Sequence, residues 1–482
     1  MAQSLRKEVF NGLIWSFVER FSGQILGFVA VVIMSRLLSQ AEYGLVGMIM
    51  IFIDIAQGLV DSGISQALIR KQDRSQIDSS TTFYFNLVMS GCLYLILFFT
   101  APMIARFYNQ PILVPLVRVV SISVLINALI VVQRALLTIR IDFKTQAKAS
   151  VIGAAVSGGI GIYMAYNGYG VWSIAVYQLS NLFISGILIW CFARWFPSFC
   201  FSWSSFRSMF RFGVNLTVAG LMHTIYNDLY LVFIGKIYNA AALGSYTRAH
   251  QFAALPSSNL NGILQRVSYP VLCRFQDDSD KLRETLRKFM RLTVFVVFPL
   301  MTGLSMLAQP LVVVLMGERW LLSGVLLQII CLALMWIPVD SLNVNLLQVV
   351  GRTDLFLRIE IIKKAVGIGV IAATVPFGLQ VICWGQVVNQ FIVIIIDTYY
   401  TGKFINYGFK RQLTEFLPTI CYCLIMAVMM WLATNWIFSN LLKLIVGICV
   451  GIICYWIIAK ITGSADLREI KTIIANKETI QE

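Results

Sequence analysis

Long apolar stretches, separated by short polar segments, follow one another along almost the whole chain. Fourteen of them contain about twenty or more mostly apolar residues, the length that an α-helix needs to cross the hydrocarbon core of a bilayer. The apolar runs are continuous rather than alternating, which is not the pattern of transmembrane β-strands. The predicted spans cover residues 10–37, 43–65, 81–105, 112–134, 146–166, 170–193, 212–235, 242–270, 290–309, 321–347, 357–377, 380–401, 413–434 and 437–459.

The composition agrees with a chain that lies in a membrane. The 482 residues are 58% hydrophobic and 13% charged, whereas about a quarter of the residues of a soluble domain are charged. This balance excludes a cytosolic enzyme, a secreted disulfide scaffold and a disordered tail. The ten cysteines lie mostly inside apolar segments and form no CxxC pair. We therefore expect buried thiols, and neither disulfides, a metal site nor a cofactor.

The net charge of +15 reflects where the basic residues lie along the chain. With the N-terminus placed in the cytoplasm and basic residues towards the span ends counted with the adjoining loop, 30 of the 38 lysines and arginines fall in the two tails or in loops after even-numbered spans. Seven fall in the other loops, and Arg20 lies within the first span. Basic residues collect in cytoplasmic segments of membrane proteins. The bias predicts an even number of spans with both termini in the cytoplasm, and it makes membrane lipids rather than nucleic acid the partner of the basic loops.

Two short patterns recur in the second half of the chain. Residues 39–44 resemble residues 239–244 at an offset of 200, and residues 140–142 resemble residues 352–354 at an offset of 212. Six predicted spans separate the two copies of each pattern. Because six is even, the two halves have the same orientation and are related by an axis along the membrane normal.

The repeat predicts an all-α integral membrane protein of two pseudo-symmetric six-helix lobes and a final helix pair. Spans 1–6 form an N-terminal lobe, residues 1–193, and spans 7–12 form a C-terminal lobe, residues 212–403. The segment 194–211 mixes aromatic residues with arginines, which suits a linker that lies in the interface plane of the membrane. Residues 404–482 hold the last two spans and a cytoplasmic tail.

Polar side chains inside the predicted membrane core gather on four spans, which form equivalent pairs under the repeat. Ionisable residues at this depth are costly and usually face a cavity or a partner. At 100° per residue, those of spans 2 and 8 each fall on one helix face. We therefore expect spans 1, 2, 7 and 8 to line one water-filled cavity between the lobes. The residues are Glu19, Arg20, Gln24, Asp54, Gln57, Asp61, Asn227, Asp228, Arg248, Gln251, Asn259 and Arg266.

This predicted cavity is chemically mixed. Arg20, Arg248 and Arg266 suit a phosphate group, because a guanidinium can donate two hydrogen bonds to it at once. The amides of the set suit sugar hydroxyls, and its acids suit charge balance with the arginines or the passage of a coupling ion. Structural ion pairs are the alternative for the acids, and snorkelling from the span ends is the alternative for Arg248 and Arg266. Arg20 lies about 15 Å deep if the first helix begins near residue 10, and at the interface if it begins near residue 21.

No catalytic motif is present in the sequence. A Walker A motif, GxSxG and HExxH are all missing, so we expect a protein that is not an enzyme and does not hydrolyse ATP. A polysaccharide polymerase or membrane glycosyltransferase would need a large outward loop or a cluster of catalytic acids, and the predicted outward loops are short. The polar spans therefore indicate transport rather than catalysis.

Three short segments resemble a known family. Residues 35–44 (SRLLSQAEYG), 139–144 (IRIDFK) and 168–173 (GYGVWS) are similar to the N-terminal lobe of the polysaccharide-transporter branch of the MOP flippase superfamily. Wzx-like exporters of the colanic acid or teichuronic acid type are the most similar members. The resemblance implies the MATE/MOP-like fold of two six-helix lobes.

The resemblance also implies a function. Members of this branch move undecaprenyl-diphosphate-linked oligosaccharide across the bacterial inner membrane by alternating access, for the synthesis of O-antigen, capsule or exopolysaccharide. The implied partners are that lipid-linked oligosaccharide, polysaccharide polymerases and glycosyltransferases, and one cavity per chain predicts a monomer. The alternative is a MATE-type cation-coupled exporter of drugs or metabolites, which the arginines and the two extra spans disfavour.

Overall fold

The described part of the chain is helical. A computed structural model describes residues 22–61 and 63–469, and within them every regular element is an α-helix or a short 3-10 helix. The chain divides into two compact units, of which the first ends at Gly244 and the second begins at Ser245.

The first unit contains nine helices within the described residues. In chain order they are α1 (Ser22–Leu37), α2 (Gln40–Val60), α3 (Gly63–Arg70), α4 (Gln76–Tyr108), α5 (Leu113–Val120), α6 (Ile122–Ile139), α7 (Phe143–Tyr166), α8 (Val171–Ala193) and α9 (Trp203–Ile237). The next helix, α10 (Ala240–Cys273), begins at the end of this unit and continues in the second.

The second unit contains the other labelled helices. They are α11 (Ser279–Met306), α12 (Ala308–Met316), α13 (Leu321–Leu334), α14 (Ile337–Val349), α15 (Thr353–Thr374), α16 (Leu379–Ile405), α17 (Phe409–Asn435) and α18 (Asn440–Ile461). Short 3-10 helices at Glu318–Trp320 and Val375–Phe377 precede α13 and follow α15.

A helix overlaps each of the fourteen predicted spans in the part of the chain that the structure describes. Ten helical segments there are long and apolar enough to cross a membrane. The protein is thus an all-helical membrane protein with about ten candidate spans, and the count of fourteen stays a prediction. The long helices α9, α10 and α15 lie outside this set. Each of the three carries ionisable and other polar side chains that lower its hydropathy.

The second predicted span is not one continuous helix. It consists of α2 and α3, and the Asp61 N–H closes the end of α2 by donating to the Gln57 carbonyl at 2.7 Å. Helix α3 then packs closely on α9. A methyl group at Gly213 of α9 would lie 2.7 Å from the Ile64 nitrogen, inside van der Waals contact. Glycine at this position therefore allows the backbones of α3 and α9 to meet.

The predicted linker is partly helical and is fixed to the first unit. Residues 194–202 are not helical, and α9 begins at Trp203, nine residues before the predicted span. Trp195 Nε1 donates to Gln76 Oε1 at 2.6 Å, and the Ser198 N–H donates to Ser80 Oγ at 2.9 Å. These bonds hold the segment against the start of α4. The division into lobes and the interfacial position of residues 194–211 stay predictions.

Candidate functional site

A polar pocket lies inside the first unit, between α2 and α9. It has a volume of about 380 Å³ and is lined by Asp54, Gln57, Gly58, Asp61, Thr224, Asn227 and Asp228. The face of α2 that the helical spacing predicted therefore meets the predicted polar residues of α9. Five of the twelve predicted site residues are brought together here. Thr224 joins them from one helical turn before Asp228 and was not predicted.

Two side chains of α6 support the pocket from behind. Asn127 Nδ2 donates to Asp61 Oδ1 at 2.8 Å, and Gln57 Nε2 donates to Ser123 Oγ at 3.3 Å. Asn127 and Ser123 are buried and lie four residues apart, so they share one face of α6. The sequence prediction missed both. The only signal for them was this four-residue spacing inside an apolar span.

The pocket is acidic. Asp54, Asp61 and Asp228 contribute carboxylates, and no basic side chain is among the described residues that line it. Asp54 is close enough to Asp228 to repel it, and Arg134 of α6 attracts Asp61. Neighbouring like charges favour the uptake of a proton, a cation or hydrogen-bond donors. The pocket by itself therefore suits sugar hydroxyls or a positive ligand rather than a phosphate group.

Of the predicted site residues of the first span, Gln24 alone lies in the described part of the chain. Glu19 and Arg20 lie outside the described residues. Gln24 is half-buried on α1 and is not among the residues that line the pocket. The proposed roles of these three residues stay predictions.

The predicted polar stripe of the eighth span lies on α10 in the second unit. Arg248 donates to Gln251 Oε1 at 2.6 Å, as expected for two residues on one helix face. Asn259 is half-buried, whereas Arg266 is exposed. That these residues share one cavity with the pocket of the first unit stays a prediction.

An apolar groove lies in the second unit, where α11, α12, α17 and α18 meet. It has a volume of about 510 Å³, and almost all of its lining residues are aliphatic or aromatic. Its buried base is formed by Leu307, Met426, Met430 and Leu444. Leu300 and Ile448 on its rim are each about half exposed. Such a surface suits a hydrocarbon chain, because it is shielded and nearly free of hydrogen-bonding groups.

Comparison with known proteins decides the family. A family model described as a polysaccharide biosynthesis protein matches residues 33–325, more than half of the chain. The chain belongs to this family. The matched region contains the pocket of the first unit and the polar stripe of α10, but it ends before α14.

Related proteins match this polysaccharide biosynthesis protein along most of their length. Teichuronic acid biosynthesis protein TuaB of Bacillus subtilis is 25% identical over 462 residues, 94% of this chain and 95% of TuaB. Lipopolysaccharide biosynthesis protein WzxC of Escherichia coli is 25% identical and covers 82% of this chain and 80% of WzxC. Succinoglycan biosynthesis transport protein ExoT of Rhizobium meliloti is 23% identical and covers 96% and 95%. The protein is thus a multi-pass membrane transporter homologous to these three, and not an enzyme.

Solved structures show the fold of this family member. Lipid II flippase MurJ in its inward closed conformation matches with a TM-score of 0.77 and 16% identity, over 93% of this chain and 98% of MurJ. An inward-facing multidrug resistance MATE transporter of the MOP superfamily matches with a TM-score of 0.62 and 17% identity, over 81% and 98%. The predicted MATE/MOP-like fold is confirmed.

Proposed function

We propose that this transporter moves undecaprenyl-diphosphate-linked oligosaccharide from the inner to the outer leaflet of the bacterial inner membrane by alternating access. The observation that carries the proposal is the similarity to three proteins named for three different polymers, teichuronic acid, lipopolysaccharide and succinoglycan. Because the sugars of these polymers differ, a shared lipid carrier is the part of the substrate that one common fold would bind. The similarity in fold to a lipid II flippase supports the same step.

The diphosphate is the charged part of this substrate, and we assign it to the arginines of the predicted cavity. A guanidinium carries five N–H donors in a planar fork, a geometry that suits two hydrogen bonds to one phosphate. Arg20, Arg248 and Arg266 have this role in the proposal. Gln24, Gln251 and Asn259 add neutral hydrogen bonds.

The glycan is assigned to the pocket of the first unit. Sugar hydroxyls can donate to the carboxylates of Asp54, Asp61 and Asp228, and they can accept from the amides of Gln57 and Asn227. An acidic pocket repels a diphosphate, which favours the sugar end of the substrate there. Charge balance or ion coupling by these acids and Glu19 stays part of the proposal.

The apolar groove of the second unit supports a lipid-linked substrate. Its aliphatic walls can cover a stretch of the polyprenyl chain while the rest of that chain stays in the bilayer. The proposal also includes cytoplasmic termini, action as a monomer, and a polymerase and glycosyltransferases as partners in the same biosynthesis.

A MATE-type exporter of cationic drugs or metabolites is the second candidate. The acidic lining of the first-unit pocket favours it, because three carboxylates attract a cation. Membership of the polysaccharide biosynthesis family and the arginines on α10 favour the glycan carrier.

Deletion of the gene distinguishes the two functions. Lipid extracts of the deletion strain should accumulate a complete polyprenyl-diphosphate-linked repeat unit by mass spectrometry, and the surface polymer should be lost. The mass of the accumulated species would identify the glycan. Normal lipid-linked pools together with new sensitivity to cationic drugs would instead support the exporter.

A further inference from the structure

A buried cluster of charges lies in the second unit, where α14, α15 and α16 meet. Lys363 Nζ lies 2.7 Å from Asp340 Oδ1, 3.2 Å from Asp397 Oδ2 and 3.1 Å from Glu360 Oε1. Lys363 and Asp397 are 8% and 2% exposed. Lys363 lies within the predicted span 357–377.

Asp397 and Lys363 lie far from the ends of their helices, whereas Asp340 lies in the first turn of α14. Asp397 is eight residues before the end of α16, and Lys363 is ten after the start of α15. Helices α13 and α14 belong to one candidate span, Glu318–Val349, and Asp340 is nine residues before the end of that span. At 1.5 Å per residue these separations are about 12–15 Å. Charges at such depth in a membrane protein are expensive and usually serve a function.

The charges of the cluster do not balance when every group is ionised. Asp340, Asp397 and Glu360 carry three negative charges. Lys363 and Lys364, which lies 3.6 Å from Glu360, carry two positive charges. One carboxylate is therefore in excess. An uncompensated buried charge is strongly destabilising, so the uptake of one positive charge relieves the cluster.

The structure indicates which carboxylate takes it. Asp397 Oδ1 is buried and has no hydrogen-bond partner among the described residues, although Oδ2 is held by Lys363. An ionised carboxylate can only accept hydrogen bonds, whereas a protonated one can also donate. Asp397 and Asp340 both contact the Lys363 ammonium, at 3.2 and 2.7 Å. A proton on Asp397 therefore leaves Asp340 as the charged partner of Lys363.

The carboxylates of this cluster do not favour the binding of a metal ion in place of a proton. Hard cations such as Ca²⁺ and Mg²⁺ take about six oxygen ligands, and here the Lys363 ammonium already occupies the centre of the carboxylates. No group of three or more acidic, histidine or cysteine side chains suited to a metal ion is found in residues 22–61 and 63–469.

We propose that Asp397 binds one proton from water and releases it again during each transport cycle, with Lys363 and Asp340 as its fixed charged partners. The proposal rests on the transport function proposed above and assigns its coupling to the second unit. Lys363 acts as a built-in cation that neutralises one of the two aspartates, so that one site for an exchangeable proton is left.

A polar route leads from the cluster to the end of the unit. Thr401, one turn after Asp397, donates to Asn343 Oδ1 at 2.9 Å, and Gln412 Nε2 donates to the same oxygen at 2.8 Å. Gln412 also donates to the Tyr407 carbonyl at 3.0 Å in the loop between α16 and α17. Thr401 also donates to the Asp397 carbonyl at 3.3 Å, so this line of buried polar groups reaches the helix turn that carries Asp397.

The loop end of this route is itself fixed by charge. Tyr407 donates its hydroxyl to Glu415 at 2.8 Å, and Glu415 pairs with Arg287 of α11 at 2.7 Å. Burial and the neighbouring Glu415 raise the pKa of Tyr407, so it stays a donor at physiological pH. The route therefore ends at an ordered polar network.

The other charged groups near Asp397 are engaged elsewhere or absent. Helix α13 packs on α16 and carries no charged residue. Arg287 and Arg291 of α11 pair with Glu415 and Asp466. Lys410 and Arg411 lie in the first turn of α17. Proton exchange at Asp397 is thus governed by Asp340 on α14 and by Glu360, Lys363 and Lys364 on α15.

Infrared spectroscopy of the purified full-length protein in lipid nanodiscs tests the site directly. We expect the difference spectrum between the wild type and Asp397→Asn to contain a protonated carboxyl C=O band near neutral pH. The same difference for Asp277→Asn, at an exposed loop acid, should lack this band. Lys363→Met should add a carboxyl band to the wild-type spectrum, because removal of the built-in cation leaves two excess carboxylates. A difference spectrum of Asp397→Asn without the band would overturn the proposal.

Complementation of the deletion strain tests the coupling. Asp397→Asn should lose export of the surface polymer at normal protein levels, and Asp397→Glu, which keeps a titratable group, should restore part of it. Full export by Asp397→Asn would show that the proton is not coupled to transport. If deletion of the gene leaves the polymer intact while the carboxyl band is present, the proposed substrate fails and the proton site stands.

Discussion

Asn127 Nδ2 lies 2.8 Å from Asp61 Oδ1, so an amide of α6 holds the carboxylate that follows α2. The contact from Gln57 to Ser123, one turn earlier on both helices, repeats the same pairing. Helix α6 lines no part of the pocket, yet it sets the positions of two of the side chains that do. Substitutions behind the pocket should therefore affect transport.

Asn127→Ala should weaken both folding and transport. The variant removes a buried hydrogen bond to a charged group, which costs about 1.5–3 kcal/mol, and it leaves Asp61 free to move. We expect a lower thermal unfolding temperature in detergent and less surface polymer in complemented cells. Asn167→Ala, at an exposed helix end, should change neither quantity. Equal behaviour of the two variants would mean that the contact with Asp61 has no role in the site.

Gly213→Ala should destabilise the first unit. The new methyl group meets the Ile64 backbone at 2.7 Å, and overpacking of this kind costs about 1–3 kcal/mol. Gly220→Ala on the same helix is the matched control, because no atom lies within 4 Å of its added methyl group. That control should be neutral or stabilising. Thermal unfolding of the two purified variants checks the difference, and equal unfolding temperatures would contradict close packing of α3 on α9.

Export should depend on the guanidinium group of Arg248 and not only on its positive charge. If its guanidinium donates twice to a phosphate, Arg248→Lys keeps the charge but loses the paired geometry. We expect export to fall in Arg248→Lys and further in Arg248→Ala, with accumulation of the lipid-linked repeat unit. Arg283→Ala removes a surface ion pair to Asp280 and serves as the control. Wild-type export by Arg248→Ala would remove this residue from the proposed site.

Trp195→Phe should loosen the segment that joins α8 to α9. The substitution keeps an aromatic ring against Phe83 but removes the 2.6 Å hydrogen bond to Gln76. The expected cost is about 1 kcal/mol, seen as a lower unfolding temperature and faster proteolysis between residues 194 and 202. Trp203→Phe, at an exposed ring, should match the wild type. No change in Trp195→Phe would show that this bond does not anchor the segment.

Periodicity predicted the face of α2 well, because a helical stripe is a local property. Asp54, Gln57 and Asp61 are close in sequence, and their angular positions follow from 3.6 residues per turn. The prediction that this face of α2 lies near Asn227 and Asp228 of α9 followed from the cost of polar groups in hydrocarbon. The end of α2 at Asp61 was missed, since a break between two apolar segments leaves the hydropathy pattern unchanged.

Long-range partners could not be predicted in the same way. Asn127 is 66 residues from Asp61, and a single amide in an apolar span gives no sign of what it contacts. Lys363 lies within the predicted span 357–377, but a lysine in an apolar segment does not show which residues it contacts. Its partners Asp340 and Asp397 are 23 and 34 residues away on two other helices. Only the packing of α14, α15 and α16 shows that these charges meet.

The charges of α15 also affect how the chain is inserted into the membrane during its synthesis. A lysine at the centre of a lone helix costs about 2.5–3.5 kcal/mol on insertion into the bilayer, and Glu360 and Lys364 flank Lys363 within one turn. Asp340, which lies 2.7 Å from Lys363, is synthesised 23 residues earlier on α14. We expect α15 to enter the lipid as a hairpin with α14, so that biogenesis depends on the same ion pair.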